Sequence, residues 1–108
     1  MRIVSEGAEQ SRLELVHIAH VDDHWEQFGP GAVGIGWDLG LVGLAIHLST
    51  GDALDPAFGQ QWTVSEDGRR FMQLSSDAWF EASVTGGADP AWARAAADRT
   101  AAAYLAEA

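Results

Sequence analysis

Several residue types are missing from this chain of 108 residues, and each absence excludes a kind of chemistry. There is no cysteine, which excludes disulfides, thiolate metal sites and a thiol nucleophile. There is no lysine either, and six arginines face sixteen acids, so that the formal net charge is −10. Because this charge repels phosphate backbones, we expect no nucleic-acid partner.

Long apolar runs are also scarce, and this bears on where the protein works. The opening MRIVSEGAEQ lacks the apolar run of a secretory signal, which predicts a cytoplasmic protein. The segment GPGAVGIGWDLGLVGLAIHL approaches the roughly 20 residues that span a bilayer. Its central Asp38 and its six glycines argue against a span, because a mid-bilayer charge is costly and glycine adds little apolar surface. We expect instead a core helix of a soluble protein, with no membrane partner.

The chain does contain residues that typically start and end helices. Residues 11–20, SRLELVHIAH, alternate β-forming residues and predict a strand, and residues 1–10 are predicted to be flexible or a short second strand. Residues 22–108 are predicted to be helical. The start signals are Asp23 with Glu26, Asp55-Pro56, Ser65 and Asp89-Pro90, and the stop signals are Gly29, Gly51 and Gly86-Gly87. The fold class is therefore α+β and mainly helical, a single domain over 1–108 with one or two strands before about four helices.

The glycine-rich helix carries two features that predict how it packs. An apolar stripe at helical spacing consists of Val33, Trp37, Leu41, Leu44 and Leu48. Glycines stand at positions 36, 40 and 43, and each costs roughly 1 kcal/mol relative to alanine inside a helix. We expect that these glycines make room for a second backbone.

The predicted strand Arg12–His20 needs a partner, because a single strand leaves its backbone donors and acceptors unpaired. The first ten residues are one candidate, and the same strand of a second copy is the other. Since the strand is apolar on both faces, we expect a homodimer joined at least partly through it.

Three constellations point to chemistry that we expect the protein not to perform. GPGAVG fits the G-x-G-x-x-G dinucleotide pattern, but the charged HVDDHWEQF before it does not resemble the buried strand that this pattern requires. The cluster His17, His20 and His24, with Asp22 and Asp23, offers metal ligands, but His17 and His20 point to opposite faces of a strand. Asp38 and His47 are close to helical phase, yet no nucleophile motif accompanies them, and we expect Asp38 to pair with an arginine such as Arg94 or Arg99 or to lie in solvent.

Two stretches carry a resemblance to a known family. LELVHIAHVDDHWEQFGPGAVGIGWDLGLVGLAIHL and FMQLSSDAWFEASVTGGADPAWARAAADRTAAAY resemble the C-terminal half of START-like (SRPBCC) proteins, in the branch related to activators of the heat-shock-protein-ninety ATPase. The resemblance runs from about Arg12 to Tyr104. It implies a helix-grip fold with an apolar cavity, in which Arg12–His20 corresponds to the last strand and the glycine-rich helix to part of the long helix. It implies no catalytic motif.

Taken together, the sequence predicts a non-enzymatic acidic protein, without cofactor, that binds an apolar small molecule or a chaperone-type protein partner. The residues expected to line the ligand cavity are Trp37, Leu41, Leu44, Phe71 and Trp79. One alternative is a structural or interaction protein that dimerises through its strand edge and has no cavity. A second alternative is a metal-dependent enzyme at the cluster His17, His20 and His24.

Overall fold

The structure, a computed structural model, describes residues 1–107 and confirms the predicted fold class. Two short antiparallel strands precede five helices in a mainly helical α+β fold. The elements are β1 (Arg2–Ser5), β2 (Ser11–Glu14), α1 (Asp23–Phe28), α2 (Gly31–Thr50), α3 (Pro56–Val64), α4 (Glu66–Thr85) and α5 (Pro90–Glu107).

Local capping groups set most helix boundaries where the sequence predicts them. The Asp55 side chain accepts a hydrogen bond from the backbone N–H of Ala57 at 3.0 Å. The Ser65 hydroxyl accepts one from the N–H of Gly68 at 3.1 Å. Gly51 ends α2 in the left-handed conformation, with φ of 77°, which favours glycine over residues with a Cβ atom. These signals need only a few neighbouring residues, so they can be read from the sequence.

The start of α1 differs by one residue from the prediction. Asp22, not Asp23, is the N-cap, and its Oδ1 accepts a hydrogen bond from the N–H of Trp25 at 3.0 Å. Two aspartates stand side by side here, and either one could cap a helix, so the sequence left the choice open. Asp23 and Glu26 instead place negative charge in the first turn, where the helix dipole favours it.

The strand predicted over Arg12–His20 is wrong in its length. The strand β2 covers only Ser11–Glu14, and it pairs with β1 in a register that runs from Arg2 opposite Glu14 to Ser5 opposite Ser11. Because β1 is four residues long, the ladder has no partner beyond Glu14. Residues 15–22 continue without regular structure, and we call this segment the arm. The pairing within the chain also removes the argument that β2 requires a second copy.

The core of the described residues is small and lies between α2, α4 and α5. Its buried apolar side chains are Ile35, Met72, Ala93, Ala96, Ala97 and Ala101. Four of these six are alanines of α5, so α4 and α5 pack closely along each other. The hydroxyl of Ser76 on α4 donates to the carbonyl of Ala97 on α5 at 3.0 Å. The core therefore holds its helices near one another but buries few large side chains.

Side chains of α5 also satisfy the carbonyl groups at the end of α1. Arg99 Nε donates to the carbonyl of Gln27 at 2.6 Å, and Thr100 Oγ1 donates to that of Phe28 at 2.9 Å. Such carbonyls have no partner within the helix itself. The C-terminal helix thus closes the end of α1, 72 residues earlier in the chain.

The helix α2 contributes Ile35 to the core, but it is more exposed than the core helix that the sequence predicts. All five members of its predicted apolar stripe are exposed: Val33 39%, Trp37 39%, Leu41 42%, Leu44 38% and Leu48 74%. Of the described helices, only α2 is long and apolar enough to cross a membrane by length and composition, and 17% of its apolar window is buried. The stripe was predicted from its spacing, which is correct, but spacing alone does not identify the neighbour that covers a face.

The close packing predicted at Gly36, Gly40 and Gly43 is also wrong within the chain. A Cβ atom built on Gly40 would meet no atom within 4 Å, and those on Gly36 and Gly43 would make ordinary contacts at 3.5 and 3.8 Å. The tight positions are Gly34 and Gly68. A Cβ on Gly34 would overlap the indole of Trp79, and a Cβ on Gly68 would overlap the backbone at the end of α3.

Candidate ligand-binding cleft

Asp38 is the polar centre of the contact between α2 and α4. Its Oδ2 accepts a hydrogen bond from the hydroxyl of Ser75 at 2.6 Å and another from the indole N–H of Trp79 at 2.9 Å. The predicted ion pair with Arg94 or Arg99 is wrong, because Arg94 pairs with Asp77 and Asp98 and Arg99 binds carbonyls of α1. The carboxylate of α2 is thus held by neutral donors.

Gly34 gives Trp79 its place beside Asp38. The two residues Gly34 and Asp38 are four positions apart and lie on the same side of α2, one turn from each other. The missing side chain of Gly34 lets the indole lie against the α2 backbone, and from there its N–H reaches the carboxylate. The aromatic ring therefore closes the floor of a depression beside α2.

The arm forms the opposite wall of this depression. It leaves β2 at Leu15 and passes along α2, where His17 Nδ1 accepts a hydrogen bond from the indole N–H of Trp37 at 2.9 Å. The two rings meet edge to face, with centroids 6.0 Å apart. Both side chains are exposed, and their hydrogen bond joins the arm to α2.

Between the arm and α2 lies a cavity of about 640 Å³, which we call the arm cleft. Its apolar walls come from both sides, and Asp38 and His17 supply polar groups. Its volume lies within the range of about 300 to 1,000 Å³ that is typical of small-molecule sites. The lining residues are Leu13, Leu15, His17, Ile18, Ala19, Trp25, Pro30, Val33, Gly34, Trp37, Asp38, Leu41 and Trp79.

Three of the five residues predicted to line a ligand cavity come together here. Trp37, Leu41 and Trp79 line the arm cleft. Leu44 does not, because it lies two turns further along α2 than Trp37, beyond the cleft. Phe71 packs on the other side of the fold against Trp62, with ring centroids 5.6 Å apart. Helical spacing put these five on apolar faces, but it did not distinguish which neighbour each face meets.

Sequence reasoning missed the contribution of the arm. Leu15 and Ile18 had been assigned to a strand, and in the structure they line the cleft from an irregular segment. The available signal was the mismatch between a ten-residue β-like run and a first segment too short to pair with all of it. Asp38 was singled out, but for catalysis or an ion pair rather than as a polar group in a ligand cavity.

The histidines do not form the cluster of the metal hypothesis. His17 binds Trp37, and His24 lies on the ring of Phe28 with centroids 5.0 Å apart. Over the described part of the chain, no three His, Cys, Asp or Glu side chains are grouped so as to hold a metal ion. His47 also lies away from Asp38, and its Nδ1 is 2.9 Å from the carbonyl oxygen of Asp52.

The GPGAVG segment is a tight link between two helices. Gly29 caps α1 with φ of 64°, and its N–H donates to the carbonyl of Trp25 at 2.7 Å. Gly31 begins α2 and lies against Trp79 and Thr100. A helix rather than a strand precedes the glycines, so the strand that a dinucleotide site requires is not in place. The glycines allow α5 and α4 side chains to approach the link closely.

A second cavity lies on the other flank of α2. It has a volume of about 460 Å³ and separates α2 from α3, and we call it the α3 groove. Leu39, Val42 and Ile46 line it from α2, and Phe58 and Trp62 line it from α3. The helix α2 thus has an apolar depression on each flank.

Comparison of the chain with family models, with curated proteins and with solved structures finds no match.

Proposed function

We propose that the protein is a non-enzymatic binding module that takes up an apolar small molecule in the arm cleft. The observation that carries the proposal is the set of Trp37, Leu41 and Trp79 around a cavity of about 640 Å³. Large aromatic and aliphatic walls with few polar groups are the usual composition of small-molecule sites. An apolar ligand would remove from water the faces of Trp37 and Leu41, which are about 40% exposed.

The polar groups of the cleft indicate what else the ligand carries. Asp38 already accepts hydrogen bonds from Ser75 and Trp79 at one oxygen, Oδ2. An ionised carboxylate accepts about four hydrogen bonds, so Asp38 retains acceptor capacity. A hydroxyl or amine on an otherwise apolar ligand fits this arrangement, whereas a carboxylate or phosphate would be repelled by Asp38 and by the net charge of −10.

The resemblance to START-like proteins supports the same class of ligand, because it implies an apolar cavity and no catalytic motif. We propose on these grounds that the protein acts in the cytoplasm, without cofactor, as a carrier or sensor rather than as an enzyme. The metal-dependent enzyme at His17, His20 and His24 lacks a geometric basis, since His17 and His24 are engaged with separate aromatic partners.

The test is titration of the purified protein with N-phenyl-1-naphthylamine, an uncharged apolar amine whose fluorescence rises in apolar surroundings. We expect saturable binding by the parent and a loss of affinity of about tenfold in Trp37→Ala, because truncating a large aromatic wall removes apolar contact worth roughly 1–3 kcal/mol. Far-ultraviolet circular dichroism and thermal melting check that the variant is folded.

The matched control is Phe58→Ala, which removes another exposed aromatic, in the α3 groove rather than in the arm cleft. We expect its affinity for the probe to stay within about twofold of the parent. If Phe58→Ala abolishes binding and Trp37→Ala does not, the ligand binds in the α3 groove and not in the arm cleft. If the parent binds no probe, the binding proposal fails.

A second candidate, a structural or interaction protein without a ligand, is favoured by one observation. The described chain exposes 7,513 Å² of surface, whereas a monomer of 11.5 kDa exposes about 5,800 Å². A subunit that associates shows such an excess, and the exposed hairpin and arm also contribute to it here. Both candidates use α2, because Leu44 and Leu48 lie on the same side of this helix as Trp37 and Leu41.

A further inference from the structure

The outward side of α2 carries one row of exposed residues at four-residue spacing. The row consists of Gly36, Gly40, Leu44 and Leu48, and we call it the outer row. All four residues are exposed, with Leu44 at 38% and Leu48 at 74%. Rows at this spacing form the ridges by which helices pack on one another. Gly36 and Gly40 lie between the flanks of α2 that line the arm cleft and the α3 groove, and Leu44 and Leu48 follow them on the side of Trp37 and Leu41.

The order of residues along the outer row makes it complementary to itself. Its first half has no side chains, and its second half has two leucines. When two such helices cross in opposite directions about a two-fold axis near residue 42, Leu44 of one copy faces Gly40 of the other, and Leu48 faces Gly36. Each leucine then enters a gap left by a glycine. An isologous interface has this property, since residue i contacts j and j contacts i.

The glycines of the row have no other explanation within the chain. A Cβ atom at Gly40 would meet nothing within 4 Å, although glycine inside a helix is unfavourable. Of the two, Gly36 has a neighbour, the hydroxyl of Tyr104 at 3.5 Å, which is an ordinary contact. The close approach of a second helix accounts for both positions.

The distribution of charge also selects a second copy as the partner. The helix α2 contains one acid in 20 residues, Asp38, which is turned toward α4, and the nine residues of α3 contain none. The remaining acids lie elsewhere in a chain of net charge −10. Two such chains repel each other on most faces, so association requires a face without charge. The surfaces of α2 and α3 form this face.

The chain exposes more surface than a compact monomer of its mass. The chain exposes roughly 1,700 Å² more than a monomer of its mass, and a standard interface buries about 800 Å² on each partner. The radius of gyration, 15.5 Å, likewise exceeds the value of about 13 Å for a compact chain of this length. We propose that the protein is a homodimer in which the outer rows of two α2 helices pack antiparallel. This proposal does not depend on ligand binding in the arm cleft.

The test measures the dissociation constant by sedimentation velocity over a range of concentrations, with pairs of variants. We expect the parent to sediment at twice the mass of one chain. Gly40→Leu fills the gap for the partner's leucine and should raise the dissociation constant at least about tenfold, although the space around Gly40 accommodates the side chain within the monomer. Circular dichroism should show helix content equal to that of the parent.

A compensating variant distinguishes the outer row from a general effect of bulk. In Gly40→Leu/Leu44→Gly the leucine and the glycine exchange places, so the row is again complementary to itself. We expect its dissociation constant to return to within about threefold of the parent value. If the double variant dimerises no better than Gly40→Leu alone, the antiparallel register is wrong.

Matched charge variants test which face is used. Leu44→Glu places a carboxylate in the outer row of both copies and should abolish the dimer, whereas Leu74→Glu makes the same change at an exposed leucine of α4 and should leave it intact. The opposite result overturns the proposal. So does a monomeric parent, and flotation of that monomer with neutral phosphatidylcholine vesicles would assign the face to a membrane instead.

Discussion

Gly34 is a position at which a single methyl group has a predictable effect. The indole of Trp79 occupies the space that a side chain at Gly34 would fill, and from there its N–H donates a hydrogen bond to Asp38. Gly34→Ala would therefore displace the ring, and we expect the free energy of unfolding to fall by about 1–3 kcal/mol, the usual cost of overpacking. Urea denaturation followed by circular dichroism measures this change.

Gly43→Ala is the control for that substitution, on the same helix. Its Cβ would lie 3.8 Å from Leu54, an ordinary contact, and alanine favours the helix by about 1 kcal/mol over glycine. We expect this variant to be as stable as the parent or more so. Equal stability of both alanine variants would show that Trp79 adapts to the added methyl group and does not depend on Gly34.

At the scale of elements, the contact between α4 and α5 depends on small side chains. Ala97 is 7% exposed, and its carbonyl accepts the hydrogen bond from Ser76. We expect Ala97→Leu to separate the helices and to lower the free energy of unfolding by about 1–3 kcal/mol. Ala102→Leu, the same change at an exposed position of α5, should alter it by less than about 0.5 kcal/mol.

Thermal melting with both variants at the same protein concentration gives this comparison. Leucine and alanine have similar helix propensities, so propensity does not account for a difference between the two positions. If Ala97→Leu melts at the parent temperature, the alanine face of α5 is not a close contact.

Helix ends were predictable from the sequence, and strand ends were not. The caps at Asp55 and Ser65 and the stop at Gly51 depend on groups within four residues, so the sequence contains everything that decides them. The length of β2 depends on β1, because a ladder cannot extend beyond its shorter strand. The β-like run up to His20 therefore remained unpaired, and it became the arm.

The sequence predicts that the candidate site is apolar, but it identifies only some of the residues that line it. Periodicity identified Trp37, Leu41 and Trp79 as apolar-face residues, and they meet in one cleft. It could not separate them from Leu44, which lies two turns further along the same helix than Trp37, or from Phe71, which contacts Trp62. These differences arise from where neighbouring elements lie, and that information is not present in the spacing of one helix.

At the scale of the whole molecule, net charge predicts how association responds to salt. Two chains of charge −10 repel each other at long range, while the apolar faces of α2 attract at contact. Between about 0.01 and 0.1 M salt the screening length falls from roughly 30 to roughly 10 Å, which weakens the repulsion. We expect the dissociation constant of the dimer to decrease over this range.

Sedimentation equilibrium at several sodium chloride concentrations measures the trend. A dissociation constant that increases with salt would indicate attraction between unlike charges across the interface, and this contradicts packing through the uncharged faces of α2 and α3. The sign of the slope is thus informative even if the affinity itself is weak.

The hydrogen bonds from α5 to the end of α1 have a consequence for synthesis of the protein in the cell. Arg99 and Thr100 bind carbonyls 72 residues earlier in the chain. At a translation rate of about 5–20 residues per second, roughly 4–14 seconds pass between the synthesis of those carbonyl groups and the synthesis of their donors. During that interval the apolar surface of α2 does not have α5 beside it. We expect the nascent chain to expose this apolar surface until α5 leaves the ribosome.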